Sequence, residues 1–360
     1  MAKPAQSIVL DYKMAPGDVL LLTALVRDIK ATYGDRYQVD IRSNFPGIWH
    51  HNPHLTPLGK KDPGVRYIDF ASKLARDDQQ QCISRGNTRK RHYLSWVYQF
   101  FERQTGIHVP ILKPHGDIHL SEEERRVPYV EGRYWVVVAG GKSDMTTKIY
   151  SQYRTQLVVD RLREWGLRFV QEGAIKGQQH HPPLERVLNL VGTTGIRDLI
   201  RNIYHAEGVL CTITFPMHIA GALERPCVVW GGGREAPWWE AYVNDWDAFG
   251  AKASPVRVPH RYLHTLGLLD CCQNAGCWKK RVVLLGDGKD DPNSICKRPV
   301  YDEQKQPIPE CLELIKPEHI CNAVMSYYED GYLPPPRWSV KERNLWRQHG
   351  RDQVGPGNHV

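Results

Sequence analysis

Short runs of consecutive apolar residues alternate along this chain with longer segments in which apolar residues recur every third or fourth position. Apolar runs are typical of buried parallel strands, whereas the longer period is typical of helices that pack on a sheet. The first unit combines a strand at residues 7–13, a tight loop at 16–18, a helix at 19–33 and a second strand at 37–42. This βαβ pattern predicts an α/β protein with parallel sheets.

A second series begins with the apolar strand 134–141, which ends in two glycines. The other predicted strands span residues 65–70, 167–171, 187–191, 208–213 and 227–231. The other predicted helices span residues 93–105, 152–164, 196–206, 216–223 and 316–332. Residues 260–315 lose the alternation, and residues 333–360 form a polar tail that we expect to be loose. Because the polar stretch 121–126 separates the two series, we expect two α/β domains, residues 1–125 and 126–259.

Composition and charge narrow the class of protein. The 360 residues include 41% hydrophobic residues, which is enough to fill two cores. The 48 Lys and Arg residues outnumber the 40 Asp and Glu residues, and the net charge of +8 favours an acidic partner such as nucleotide phosphates, an anionic glycan or nucleic acid. The sequence has no apolar run long enough to span a membrane and shows no secretory signal, so we expect a cytoplasmic protein.

Nine cysteines in a cytoplasmic protein are expected to be thiols or metal ligands rather than disulfides. Five of them fall in the segment 260–315, namely Cys271, Cys272, Cys277, Cys296 and Cys311. The last four would form a closed four-thiolate site for a structural zinc or iron ion, and Cys271 could take the place of Cys272. Unrelated free thiols are the alternative. Cys211 and Cys227 lie in predicted strands and are expected to be core residues.

Gly17 and Asp18 occupy the loop between the first predicted strand and helix. The carboxyl ends of parallel strands face the crevice in which α/β proteins bind ligands. Asp18 could cap the helix by accepting hydrogen bonds from its first N–H groups, or it could act as a general base in the crevice. A G-x-G-x-x-G motif does not follow the strand, which argues against a dinucleotide site there.

Four segments carry longer motifs in a fixed order: APGDVLLLTALVR at residues 15–27, NPHL at 52–55, NLVGTTGIRDL at 189–199 and PMHIAGALERP at 216–226. They resemble motifs of the family 9 glycosyltransferases, the ADP-heptose:lipopolysaccharide heptosyltransferases. The resemblance implies a GT-B fold, in which two Rossmann-like domains face each other across a cleft. It also implies an inverting sugar transfer from a nucleotide sugar.

The resemblance implies roles for individual residues. Asp18 matches the proposed base, and Lys148 matches the basic residue that contacts the donor phosphates, with a solvated lysine at a helix start as the alternative. Lys142 is a second candidate for that contact. The helix that starts near Pro216 would direct its free N–H groups at the phosphates. The other expected donor-site residues are Gly17, Gly141, Thr214, Met217, His218 and Gly232.

The assignment of His218 has an alternative, and that of Gly232 has a second reason in the sequence. His218 could equally be a histidine packed inside the helix. Gly232 lies in a run of three glycines, which would allow the close approach of a ligand to the backbone.

Two positions depart from the family pattern. Ile213 stands where the family usually has an acidic residue that helps to bind the donor, and Phe215 replaces a glycine. We therefore expect a divergent branch of the family, with ADP-heptose in doubt as the donor. Bacterial autotransporter heptosyltransferases carry a comparable cysteine finger, so the resemblance supports a structural metal as well.

Together these expectations describe an inverting glycosyltransferase that moves a sugar, such as a heptose, from a nucleotide-diphosphate donor to a hydroxyl of a glycan, a lipopolysaccharide or a protein. Residues 1–125 would bind the acceptor and residues 126–259 the nucleotide sugar. Residues 260–315 would form the metal finger, and the helix 316–332 would close the structure.

Two basic stretches keep other functions open. They comprise Arg85, Arg89, Lys90, Arg91 and His92 in the first half and Arg337, Lys341, Arg343, Arg347 and Arg351, with Trp338 and Trp346, in the tail. If they bind nucleic acid rather than face solvent, the chain would be a DNA-modifying glycosyltransferase that acts on a hydroxylated base. A sugar-nucleotide-binding protein without activity is the second alternative, because Ile213 replaces the acid.

Overall fold

The computed structural model describes residues 6–59, 62, 64–85, 90–176, 179–244, 249 and 253–336. The chain divides into two compact units. The first comprises Met1–Pro128, Gly221–Glu224 and Trp238–Pro259, and the second comprises Tyr129–Ala220, Arg225–Pro237 and His260–Val360. The segment 238–259, which we expected in the C-terminal domain, thus clusters with the first unit. The basic tail 337–360 lies outside the described residues.

The first unit is built on a small parallel sheet. Its strands are β1 (Gln6–Asp11), β2 (Tyr37–Arg42) and β3 (Arg66–Asp69), and its helices are α1 (Pro16–Tyr33), α2 (Lys73–Arg85), α3 (Tyr93–Thr105) and α4 (Glu122–Arg126). Strand β1 lies in the centre and pairs in parallel with β2 and β3. The predicted βαβ unit is therefore present.

Helix α1 begins earlier than predicted. Ala15 is extended, and Pro16 occupies the first turn, where a missing N–H breaks no helical hydrogen bond. Asp18 adds a negative charge near the positive end of the helix dipole. Residues 16–18 are consequently the first helical turn and not a separate loop. The helix ends before Gly34, whose positive φ of 59° suits glycine.

Aromatic side chains from α3 fill much of the first core. The rings of Tyr93 and Trp96 stack with centroids 5.4 Å apart, and those of Trp96 and Phe100 with centroids 5.6 Å apart. His92 caps the helix, because its ring accepts the N–H of Leu94. All of these side chains are buried.

The second unit contains a larger parallel sheet in the order β11-β10-β9-β4-β6-β8. Its strands are β4 (Trp135–Val138), β5 (Gly141–Lys142), β6 (Phe169–Gln171), β7 (Gln179–His180), β8 (Leu188–Asn189), β9 (Gly208–Cys211), β10 (Cys227–Gly232), β11 (Arg261–His264), β12 (Pro299–Tyr301) and β13 (Pro307–Pro309). Strands β5 and β7 form one short antiparallel pair, and β12 and β13 form another. The remaining helices are α5 (Gln152–Glu164), α6 (Ile196–His205), α7 (Phe215–Ala222), α8 (Pro237–Glu240), α9 (Glu310–Glu313) and α10 (Pro317–Glu329).

Helix α10 packs its aromatic residues against this sheet. The hydroxyl of Tyr327 accepts the N–H of Cys227 and donates to its carbonyl oxygen, at 3.1 and 3.0 Å. The indole of Trp135 donates to the hydroxyl of Tyr328 at 2.7 Å. Cys211 and Cys227 are buried in β9 and β10, as predicted, with their sulfur atoms 3.9 Å apart.

Two local predictions were wrong, and one helix was missed. Residues 121–126 are not a plain linker but contain α4, which begins with a capping box between Ser121 and Glu124. The segment 260–315 still contributes to the α/β structure at its start, because β11 lies in it and extends the sheet beside β10. Helix α2 was not predicted.

Candidate functional site

Asp18 lies half-buried in the first turn of α1, close to residues that follow β1. Tyr12 comes directly after that strand, and its buried hydroxyl lies 2.5 Å from the hydroxyl of Tyr93. Burial raises the pKa of Tyr12 far above its ordinary value, and the negative charges of Asp18 and Glu240 raise it further. Tyr12 therefore stays protonated and hydrogen-bonds the carboxylate of Asp18. An oriented carboxylate of this kind can accept a proton.

Lys148 lies at the carboxyl side of the large sheet, in a short 3-10 turn formed by Thr146–Lys148. Its ammonium group is 2.7 Å from Oε1 of Glu235, and its side chain is 21% exposed. Arg234 contacts the same carboxylate oxygen. One buried carboxylate is thus shared by two cations, and it fixes the position of both charged groups.

Glu235 was not predicted as a site residue. It comes soon after the apolar strand β10 and the glycines 231–233. A carboxylate at that place in the sequence is a signal that could have identified it.

Glu172 is a second acid that was not predicted as a site residue. This buried acid follows β6 and accepts hydrogen bonds from Thr194 at 2.6 Å and Asn202 at 2.5 Å. Burial raises the pKa of Glu172 despite these hydrogen bonds.

The expected donor-site residues around α7 differ in their access to a ligand. Thr214 is half-buried before the helix, and its carbonyl oxygen accepts the N–H of Met217. The side chains of Met217 and His218 are buried, at 0% and 4% exposure, so both pack inside the unit. Ile213 is buried as well, which accounts for an apolar residue where the family has an acid.

The predicted glycines and Lys142 have different surroundings. Gly17 is buried in α1, whereas Lys142 is exposed on β5 next to Gly141. A Cβ atom on Gly232 would lie 2.9 Å from Leu312, and one on Gly233 would lie 2.8 Å from Sγ of Cys272. The glycine run therefore makes room for the protein's own side chains, and the contact of Gly232 with a donor stays a prediction.

The five clustered cysteines line one cavity of the second unit: Cys271, Cys272, Cys277, Cys296 and Cys311. None of the nine cysteines forms a disulfide. Burial and the neighbouring thiols raise the pKa of Cys271 to about 11 and that of Cys311 to about 12. Among the described residues these sulfur atoms do not close to within 4.8 Å of one another in groups of three. They are gathered around the cavity without forming a compact shell.

Main-chain hydrogen bonds hold the cysteine segment in place. The N–H of Cys277 donates to the carbonyl oxygen of Gly233, and that of Cys296 donates to Arg281. Gly276 approaches Arg234 so closely that a Cβ atom would lie 2.3 Å from its carbonyl oxygen. Its φ of +94° also requires glycine. The segment is therefore fastened beside the loop that carries Arg234.

The basic stretch of the first half is described only in part. The ammonium group of Lys90 lies 5.6 Å from the centroid of the Trp238 ring, and Arg91 donates to Gln99 at 2.8 Å. Arg89 and the basic tail lie outside the described residues. Within the described ranges, every helix is too short or too polar to cross a membrane.

No protein-family model matches the sequence, and the comparison with curated proteins gives no match either. Solved structures do match. A family 9 glycosyltransferase from Veillonella parvula aligns with 92% of this chain and 99% of its own, with 12% identity and a TM-score of 0.55. ADP-heptose lps heptosyltransferase II from E. coli aligns with 91% of this chain and all of its own, with 12% identity and a TM-score of 0.51.

A third match is TibC from enterotoxigenic E. coli, described as an iron-containing dodecameric glycosyltransferase. It covers 91% of this chain and 77% of its own, with 13% identity and a TM-score of 0.58. At such low identity these likenesses concern the fold. They confirm the fold that the motifs predicted, and this chain has the GT-B fold of the family 9 glycosyltransferases.

Proposed function

We propose that this chain is a glycosyltransferase that moves a sugar from a nucleotide-diphosphate donor to an acceptor hydroxyl. The observation that carries the proposal is the pair of Lys148 and Glu235, 2.7 Å apart at the carboxyl side of a parallel sheet. Ligands of open α/β sheets bind at that side. The pair occurs in a fold shared with TibC, one structure of which is a complex with ADP-D-beta-D-heptose.

The donor would bind to the second unit. Lys148 would approach the diphosphate as a point charge, while Glu235 holds its ammonium group in place. As the bond between the anomeric carbon and the diphosphate oxygen breaks, negative charge grows on the leaving group. A fixed cation beside that oxygen lowers the barrier, because it is already oriented. The N-terminus of α7 would add N–H groups on the same side.

Asp18 would act as the base. The acceptor oxygen attacks the anomeric carbon, its proton passes to the carboxylate of Asp18, and the nucleoside diphosphate departs with the bonding electron pair. One displacement inverts the configuration at the anomeric carbon. The sugar would be one such as a heptose, and the acceptor would be a hydroxyl of a glycan, a lipopolysaccharide or a protein. Nine cysteines outside disulfides are in keeping with a reducing compartment, the cytoplasm.

We also propose that Cys277, Cys296 and Cys311, together with Cys272 or Cys271, hold a structural zinc or iron ion. The residues fit such an ion, because soft thiols surround one cavity and none is in a disulfide. TibC, which shares the fold, is described as iron-containing. When bound, the ion would cross-link a loop-rich segment. Four thiolates leave no open position for substrate, so its role would be structural.

A thermal-shift panel of nucleoside diphosphates and nucleotide sugars tests the proposal, because a ligand that binds the folded state raises its melting temperature. We expect a shift with at least one nucleoside diphosphate and a smaller shift in Lys148→Ala. Lys289→Ala, at an exposed lysine of the same unit, is the matched control. If every ligand in the panel leaves the melting temperature of the unaltered protein unchanged, the proposal fails.

A further inference from the structure

His54, Asp117 and His119 bring three metal-ligating side chains together in the first unit. Nε2 of His119 lies 2.8 Å from Oδ2 of Asp117, and Nε2 of His54 lies 3.8 Å from the same oxygen. The three donor atoms all lie within 4.8 Å of one another. We propose that these side chains bind a divalent transition-metal ion of the zinc class. The site would exist whether or not the chain transfers sugars.

The chemistry of the three residues suits such an ion. Two imidazoles and one carboxylate form a ligand set that proteins use for zinc and for non-haem iron. The side chains of His54, Asp117 and His119 are 28%, 18% and 24% exposed, so an ion can enter from solvent. An ion bound by three protein ligands keeps a position for water or for an oxygen atom of a substrate.

The position of His54 is set by its own turn. Asn52 is buried, and its side-chain oxygen accepts the N–H of His54 at 2.9 Å. This Asx turn fixes the backbone from which the imidazole projects. The ring of His54 then meets that of His119 edge to face, with centroids 5.6 Å apart.

The position of Asp117 is set by α1. Its N–H donates to the hydroxyl of Thr23 at 2.7 Å, and Thr23 in turn donates to the carbonyl oxygen of Leu20. Gly116 lies so close to Leu20 that a Cβ atom would be 2.8 Å from its side chain. The carboxylate therefore projects from a backbone anchored to a rigid helix, and His119 follows two residues later. Ligands held in this way need little reorganisation to bind an ion.

Arg27 is a buried cation whose charge acts on Asp117. Arg27 contacts the carboxylate of Asp28 at 2.8 Å and donates to the carbonyl oxygens of His115 and Lys113, each at 3.0 Å. Its charge is thus paired with that of Asp28, and it also attracts the carboxylate of Asp117. The same contacts hold the segment that leads to Asp117.

Titration of Co²⁺ into the full-length protein tests the site. Cobalt bound by thiolates gives an intense charge-transfer absorption, whereas cobalt bound by imidazole and carboxylate gives only weak visible bands. We expect one equivalent of bound cobalt to give weak visible bands and no increase in the thiolate charge-transfer absorption. His119→Gln should weaken its binding by more than the roughly 10–100-fold that loss of an outer-shell partner costs.

Two further variants complete the experiment. Asp117→Asn keeps the size of the side chain, so the fold should survive, and we expect it to weaken cobalt binding to a similar degree. His51→Gln removes an exposed histidine from the same segment as His54 and should bind cobalt like the unaltered protein. The proposal is overturned if cobalt gives thiolate absorption only, or if His119→Gln, Asp117→Asn and His51→Gln bind it equally well.

Discussion

The hydroxyl of Thr147 donates to the carbonyl oxygen of Lys279 at 2.6 Å, and its N–H donates to that of Lys280 at 3.1 Å. The preceding residue, Thr146, accepts the N–H of Val282 at 2.9 Å. These bonds tie the loop that ends in Lys148 to the chain between Cys277 and Cys296. A change in the cysteine segment should therefore alter the position of Lys148 in the proposed donor site.

Cys296→Ser tests this link. Loss of one thiolate should reduce the metal content of the protein from about one ion per chain and expose residues 260–315 to protease. Affinity for a nucleoside diphosphate should fall by roughly 5–150-fold, the usual range for coupled sites. Elemental analysis, limited proteolysis and calorimetry measure the three effects. Cys82→Ser, in α2 of the first unit, is the control and should change none of them.

The choice between Cys271 and Cys272 as the fourth ligand can be made by metal content. The thiol of Cys272 is buried and lies 3.3 Å from the carbonyl oxygen of Leu269, whereas Cys271 is half-buried. We expect metal loss in one of the two variants Cys271→Ser and Cys272→Ser, and near-normal content in the other. Full metal content in both would contradict a four-thiolate site that includes either residue.

Asp18→Asn should cut turnover by about 10²-fold or more, the scale on which a general base contributes, while donor binding is retained. The amide has nearly the size of the carboxylate but cannot accept the proton. Asp35→Asn, at an exposed acid just after α1, is the control and should turn over normally. Near-normal turnover in Asp18→Asn would leave Asp18 as a stabiliser of the helix terminus only.

Lys148→Ala should weaken the binding of a nucleoside diphosphate more than that of the nucleoside, because only the former carries the charge that Lys148 meets. Calorimetry with both ligands measures the difference. Lys142→Ala in parallel tests the second candidate lysine. Equal weakening of both ligands in Lys148→Ala would mean that the lysine acts through the fold.

Local signals explain where sequence and structure agree. The helices α3 and α5 were predicted at their observed bounds, because caps mark their ends: Gly106 adopts a left-handed conformation after α3, and Ser151 accepts the N–H of Arg154 at the start of α5. Helix α2 was missed because few apolar residues mark its buried side. Strand β11 was missed because only Tyr262 and Leu263 are apolar among its four residues.

Candidate site residues could be predicted from the sequence where they lie in or next to a motif. They could not be predicted where their role depends on a contact between distant segments. The roles of Asp18 and Lys148 were predicted from the residues next to them in the sequence. The role of Glu235 depends on its approach to Lys148, far away in the sequence, and His54 joins Asp117 and His119 through the fold. Periodicity and spacing carry no information about such contacts.

The stability of the first unit should depend on pH through His92. This histidine is fully buried, and its Nδ1 accepts the N–H of Leu94 at 3.1 Å. Burial lowers the pKa of His92 from 6.5 to about 3, although a hydrogen bond with the backbone of Glu240 opposes the shift. Between these pH values the unfolded chain binds a proton that the folded chain does not. The contribution of His92 is therefore complete above pH 6.5 and is lost as the pH falls toward about 3.

Urea unfolding at several pH values below 6.5 measures this loss, which for one proton reaches at most about 1.4 kcal/mol of unfolding free energy per pH unit. His92→Asn keeps a side chain that can cap α3 but does not titrate, so its unfolding free energy should fall less steeply with pH. His108→Asn, at an exposed position after α3, controls for the loss of a histidine as such. Equal slopes for the unaltered protein and His92→Asn would show that the ring of His92 is not held neutral by burial.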